Sequence, residues 1–195
     1  MSEKFIGDGN QKDLPTKFPT LNSPEAIKAA EMYADIFANY SPDGAVNFKY
    51  TDVVAAMQQG NTAIIMEGAP LGGRINDPEK STVRGKLGYM MVPKGPGGRH
   101  PAFTGHGVAL AAGAPNLEPA WLFLQWALSK EVTIDIALNS NHVAVSRDSV
   151  WEDTSFREKW NLPGAGGDFL KAFQDSLNAA DANYRPRISG WGEVN

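Results

Sequence analysis

Short apolar runs, closed at once by glycine or proline, alternate along this chain with longer stretches whose apolar residues fall three and four positions apart. That alternation constrains the fold more than any other feature, because the runs have strand length and the stretches have helix period. Residues 62–66 and 87–92 are such runs, 102–112 predicts a third strand and 143–145 a short fourth. Between them the helix signals are chemical as well as periodic. Ser23 is placed to cap, Pro24 to take the first helical position and Glu25 to meet the positive end of the dipole, with Ile27, Ala30, Tyr33, Ala34 and Phe37 on one face. A second helix starts at Thr51-Asp52 and ends at Gln59, where Gly60 can adopt the left-handed exit conformation. Asn116 caps a helix through Trp121, Phe123 and Trp126, whose spacing is that of a buried face, and Met90 and Met91 read as core. Ser129-Lys130-Glu131 restarts a helix through Leu138, short helical turns follow at 148–151 and 155–160, and 168–182 is a final helix with Phe169, Leu170, Phe173 and Leu177 inward. The expected class is α/β, built in layers.

Composition narrows the function. Hydrophobic residues make up 42% of the 195, enough for a folded core. The net charge of −4 comes without a basic stripe, which argues against a nucleic-acid partner and for a neutral ligand. The absence of cysteine excludes disulfides and thiolate chemistry but leaves the redox compartment open. Residues 1–22 are polar and broken by proline and glycine, so they do not read as a signal peptide. No cofactor and no metal are implied.

Four segments, taken in order, carry a resemblance: Asn22-Ser23-Pro24-Glu25-Ala26, Gln58-Gln59-Gly60-Asn61-Thr62-Ala63, Gly88-Tyr89-Met90-Met91-Val92-Pro93-Lys94-Gly95-Pro96-Gly97-Gly98 and Trp126-Ala127-Leu128-Ser129-Lys130-Glu131. The sequence resembles the family 1 extracellular solute-binding proteins, the maltose-binding-protein-like components that capture sugars for ABC importers. The resemblance implies a partial periplasmic-binding-protein type II-like fold: residues 1–92 as part of the C-terminal lobe, 93–140 as a crossover segment of the N-terminal lobe and 141–195 as a return to the C-terminal lobe. It also implies a small neutral carbohydrate or polyol held in an interlobe cleft, hinge closure, ABC permease subunits as partners and a periplasmic or extracellular location, with a lipid anchor as an option. The first half of the family fold and the helix that would follow Asn195 are not found in the chain.

A sugar site needs flat aromatic faces and a few convergent polar groups. Trp191, bracketed by Gly190 and Gly192, resembles the family's stacking tryptophan. Burying an aromatic of about 150–250 Å² at ~25 cal/mol/Å² is worth roughly 4–6 kcal/mol at most, well above the about 1 kcal/mol net of one hydroxyl hydrogen bond. Glu67, Gly68 and Pro70 form a turn after a predicted strand, where ligands of open α/β sheets lie. The family often has an aromatic residue just beyond this turn, where Pro70 and Leu71 stand. Gly105 and His106 precede the third predicted strand, and the glycines flanking His106 let backbone approach a ligand closely. Arg187, in Arg185-Pro186-Arg187, extends toward Trp191 and can face the ligand or a carboxylate. His100 and His142 read as structural, although Asn141-His142 can border the cleft.

Two other functions compete. Glu67 with Asp52, Asp77 or Glu193 offers the paired carboxylates of a carbohydrate-active hydrolase, although no catalytic motif specifies one and the expected answer is a non-enzyme. A self-associating structural fragment is the third reading, because strand edges and helix faces left without partners can pair between copies.

Overall fold

The computed structural model describes residues 21–162 and 169–181. Their contacts divide them into two units, one of 21–48, 91–104 and 175–181, the other of 49–90, 105–162 and 169–174.

In the first unit, helix α1 (Pro24–Tyr40) begins where its capping chemistry places it. Ser23 is extended, and its Oγ accepts from the Ala26 N–H at 3.2 Å. The helix ends at an extended Ser41, because Pro42 cannot continue it, and Gly44 at φ 78° turns the chain into a single 3-10 turn, Ala45–Asn47. The expected apolar face exists, with Tyr33 and Phe37 rings 4.7 Å apart, yet no residue of α1 is buried. In the 91–104 segment, Gly95 and Gly98 exchange backbone hydrogen bonds of 2.9 and 3.0 Å, closing the Pro/Gly loop on itself. Ala102 makes an isolated parallel bridge with Asp181.

The second unit holds α2 (Tyr50–Gln58), a 3-10 turn (Ala69–Leu71) leading into α3 (Gly72–Ile75), then α4 (Leu117–Ala127), α5 (Lys130–Asn139), α6 (Asp148–Trp151), α7 (Thr154–Trp160) and the start of α8 (Phe169–Asn178). Asp52 accepts from the Lys49 N–H at 2.8 Å at the head of α2, and Gly60 at φ 75° carries its exit. Ser129 Oγ accepts from the Val132 N–H at 3.3 Å and Asp153 accepts from the Ser155 N–H at 3.1 Å, so both are working caps, whereas the side chain of Asn116 makes no capping bond. Lys159 Nζ donates to Ser140 O at 2.7 Å and to Leu138 O, and Trp160 Nε1 donates to Ala137 O at 3.2 Å, so the end of α7 satisfies the open carbonyls at the end of α5. Arg147 Nε donates to Leu128 O, Trp151 Nε1 to Val145 O at 3.1 Å, and Lys130 pairs with Asp153 at 3.5 Å.

Two apolar clusters occupy this unit. The larger joins Ala137, Val143, Val145, Val150, Phe156, Trp160, Phe169 and Phe173, and the smaller joins Val54, Met57 and Ile75. Within the larger, Trp151 stands edge-on to both Phe156 and Phe173, at 5.5 and 5.4 Å.

The structure departs from the sequence reading in two ways. Among the described residues no regular strand forms: 62–66, 87–92 and 102–112 are irregular and form no ladder, and 143–145 closes instead as a tight turn in which the Val145 N–H donates to Val143 O at 2.9 Å. Strand propensity measures fitness for a pleated, half-buried surface, and without an adjacent strand that fitness produces no sheet. The helix-face core also fails. Trp121, Phe123 and Trp126 are 53%, 60% and 60% exposed and Met90 is 80% exposed, while the buried aromatics come from the short helices near the end of the unit. Leu177 is exposed as well, although Phe169 and Phe173 point inward as expected.

Candidate functional site

Glu67, Gly68 and Pro70 form one exposed turn that hangs from α3. Glu67 Oε2 accepts from the Gly68 N–H at 3.0 Å, and the Leu71 N–H donates back to Gly68 O at 3.0 Å, so carboxylate and backbone brace the same corner. The turn is held from behind by both clusters. Ala69 packs against the larger, while Ile65 and Leu71 pack against the smaller and Ile75 belongs to it.

Two adjacent glycines make that placement possible. A Cβ on Gly72 would lie 2.3 Å from Phe169 Cε2, and one on Gly73 would lie 2.7 Å from Trp160 Cζ3 and 3.0 Å from Asn141 O. Only a residue without a side chain lets α3 rest on these two rings, and the same contact brings the Asn141 carbonyl up to the helix.

Asn76, 5% exposed, closes the arrangement. Its Nδ2 donates to Gly72 O at 3.0 Å and to the Tyr89 hydroxyl. The Tyr89 ring meets Phe169 edge-on at 5.0 Å. Burial pushes the Tyr89 phenol above its usual range, and the hydrogen bond from Asn76 works against that shift. Asn76 Oδ1 is buried without a hydrogen-bond partner among the described residues, a cost of about 1–3 kcal/mol.

The other sequence candidates fall elsewhere. Gly105 and His106 are exposed on an irregular segment of the same unit, and among the described residues no hydrogen bond joins them to the turn. Trp191 and Arg187 lie outside the described residues, as does Glu193. Asp52 serves the start of α2, and Asp77 accepts from the Glu79 N–H at 2.9 Å beside Lys80, so both carboxylates have local duties. No group of three or more His, Asp or Glu side chains able to hold a metal occurs among the described residues. A shallow concavity of about 460 Å³ in the first unit, between the end of α1 and the turn at Asp43 and Gly44, has few polar groups, and Ser41 Oγ already donates to Ile36 O there.

Sequence reasoning located the turn but missed its anchors, Asn76, Tyr89 and the Gly72-Gly73 pair. The pair was the available signal, because two consecutive glycines just inside a helix weaken it unless something must approach closely.

The sequence matches the bacterial extracellular solute-binding protein family over residues 3–134, about two thirds of its length. The chain belongs to that family. The family implies a periplasmic-binding-protein-like fold and is an extracellular one. It is 22% identical over 168 residues to an erythritol/L-threitol-binding protein of Mycolicibacterium smegmatis, an alignment covering 86% of this chain and 34% of that protein. It is 30% identical over 114 residues to a "Probable ABC transporter-binding protein" of Deinococcus radiodurans, covering 58% of this chain and 26% of that one. The solute-binding protein chain thus spans about a third and about a quarter of these two relatives. Among its described residues no helix is long and apolar enough to cross a membrane.

Proposed function

We propose that this chain is the substrate-binding part of an ABC importer, taking a small neutral sugar, oligosaccharide or polyol outside the cytoplasmic membrane and passing it to the permease subunits. The observation that carries this reading is the family match over 3–134 together with a relative named for binding erythritol and L-threitol. In this reading Glu67 accepts from ligand hydroxyls, Gly68 and Pro70 shape the turn, Gly105 and His106 add a second polar contact, and Trp191 and Arg187 are further ligand contacts. The whole protein closes around the ligand by a hinge because the closed form binds it better. Tetritols fit a turn without an aromatic: they have no ring face, so hydroxyl contacts must do more of the selecting.

The experiment is a thermal-shift and calorimetric screen of erythritol, L-threitol, mono- and disaccharides. A true ligand at 100-fold its Kd stabilises by about 2.7 kcal/mol, a rise of about 5–10 °C for a chain of this size. A flat response to every carbohydrate and polyol would remove the reading.

The exposed Trp121, Phe123 and Trp126 favour a second reading, in which two copies of the chain pair through α4. Light scattering after size exclusion decides it, and a monomer at every concentration counts against it.

A further inference from the structure

We infer that Asn76 is a positioning residue: its carboxamide fixes the Glu67–Pro70 turn by tying the first carbonyl of α3 to Tyr89. The inference rests on the reading of that turn as a ligand contact. Four contacts form a closed circuit. Gly72 O accepts from Asn76 Nδ2 at 3.0 Å, Nδ2 also donates to the Tyr89 hydroxyl, Tyr89 stands edge-on to Phe169 at 5.0 Å, and the Phe169 ring fills the space where a Gly72 side chain would be. Any movement of the start of α3 must open one of these four.

The chemistry of the side chain explains why it is an amide. The Asn76 N–H also donates to Gly72 O, at 3.1 Å, so backbone and side chain converge on the carbonyl of the first residue of α3, which directly follows the turn. A leucine would place no amide oxygen in this site, whereas Asn76 keeps Oδ1 buried without a partner among the described residues. What the amide adds over leucine is two directed donors, and both act on the frame of the turn. Gly68 O, bonded to the Leu71 N–H at 3.0 Å, is one residue from the carboxylate that the turn presents.

Hydrogen exchange read by mass spectrometry tests this on the whole chain, with variants Asn76→Leu and Tyr89→Phe. In Asn76→Leu the peptide spanning 67–76 should exchange at least tenfold faster, while the peptide spanning 150–160 keeps its wild-type protection. Tyr89→Phe, which retains the ring and loses only the hydroxyl, should give a smaller acceleration confined to the same peptide, and the double variant should add little to Asn76→Leu. Unchanged exchange at 67–76, or equal acceleration in both peptides, overturns the assignment. If Asn76→Leu does not fold, Tyr89→Phe alone decides between local and global loosening. A parallel titration with erythritol and L-threitol should show Asn76→Leu binding at least tenfold more weakly than wild type. Wild-type chain that binds neither polyol removes support from the ligand reading, and the exchange result still decides the role of Asn76.

Discussion

Gly72→Ala puts the seating of α3 to the test. The new methyl would lie 2.3 Å from Phe169 Cε2, 2.7 Å from Cζ and 3.1 Å from Cδ2, where carbon atoms prefer about 3.5–4.0 Å. Phe169 has little room to retreat, being 3% exposed and held by Tyr89 on one side and Phe173 on another. Overpacking of this kind costs about 1–3 kcal/mol. Alanine recovers up to about 1 kcal/mol over glycine inside a helix, though a four-residue helix recovers less. The net expected loss is about 1–2 kcal/mol, a fall in Tm of about 2–8 °C. Differential scanning calorimetry reads it, with Gly113→Ala, whose methyl would meet nothing within 4 Å, as the neutral control. The pair Gly72→Ala with Phe169→Leu should lose less than the two single losses combined, because the smaller side chain makes room. A Gly72→Ala protein as stable as wild type, or losses that simply add, would show that α3 does not rest on that ring.

Three further outcomes are expected. The raised pKa of Tyr89 means that above pH 10.0 the unfolded chain gives up this proton before the folded one does, so stability falls as pH climbs through that range; Tyr89→Phe should flatten the alkaline limb of a Tm-against-pH curve. Ser129→Ala removes the acceptor for the Val132 N–H and should cost about 1 kcal/mol in urea unfolding, with an unchanged m-value. Lys159→Met removes the ammonium that lies 5.0 Å from the Trp160 ring and leaves Leu138 O and Ser140 O without their donor, a loss of about 1–3 kcal/mol that thermal unfolding should show as a drop of several degrees.

The helices were legible because their ends are written in local chemistry. Ser23-Pro24, Gln59-Gly60 and Ser129 act over three or four residues, and each does what its side chain dictates. The strands were not, since pairing is a property of two segments, and residues 62–66 and 102–112 have no partner strand among the described residues. Helical periodicity likewise marks a face without naming what covers it, which is why Trp121, Phe123 and Trp126 were expected inside while Phe156 and Trp160 form the interior. At the candidate site, the turn at Glu67 could be read from its glycine and proline. Its bracing by Asn76, Tyr89 and Phe169 could not, because those residues lie up to about a hundred positions away along the chain.

The way α7 closes the end of α5 bears on how the molecule comes apart. Arg147 on Leu128, Lys130 on Asp153, Trp151 on Val145, and Lys159 and Trp160 on the last carbonyls of α5 all join residues close in sequence, and they surround the most deeply enclosed side chains of the chain. Short loops of this kind cost little entropy to shut and tend to open together. Residues 128–160 should therefore form early in refolding and yield last to denaturant, a durable kernel against which Ala69 seats the turn at 67–70.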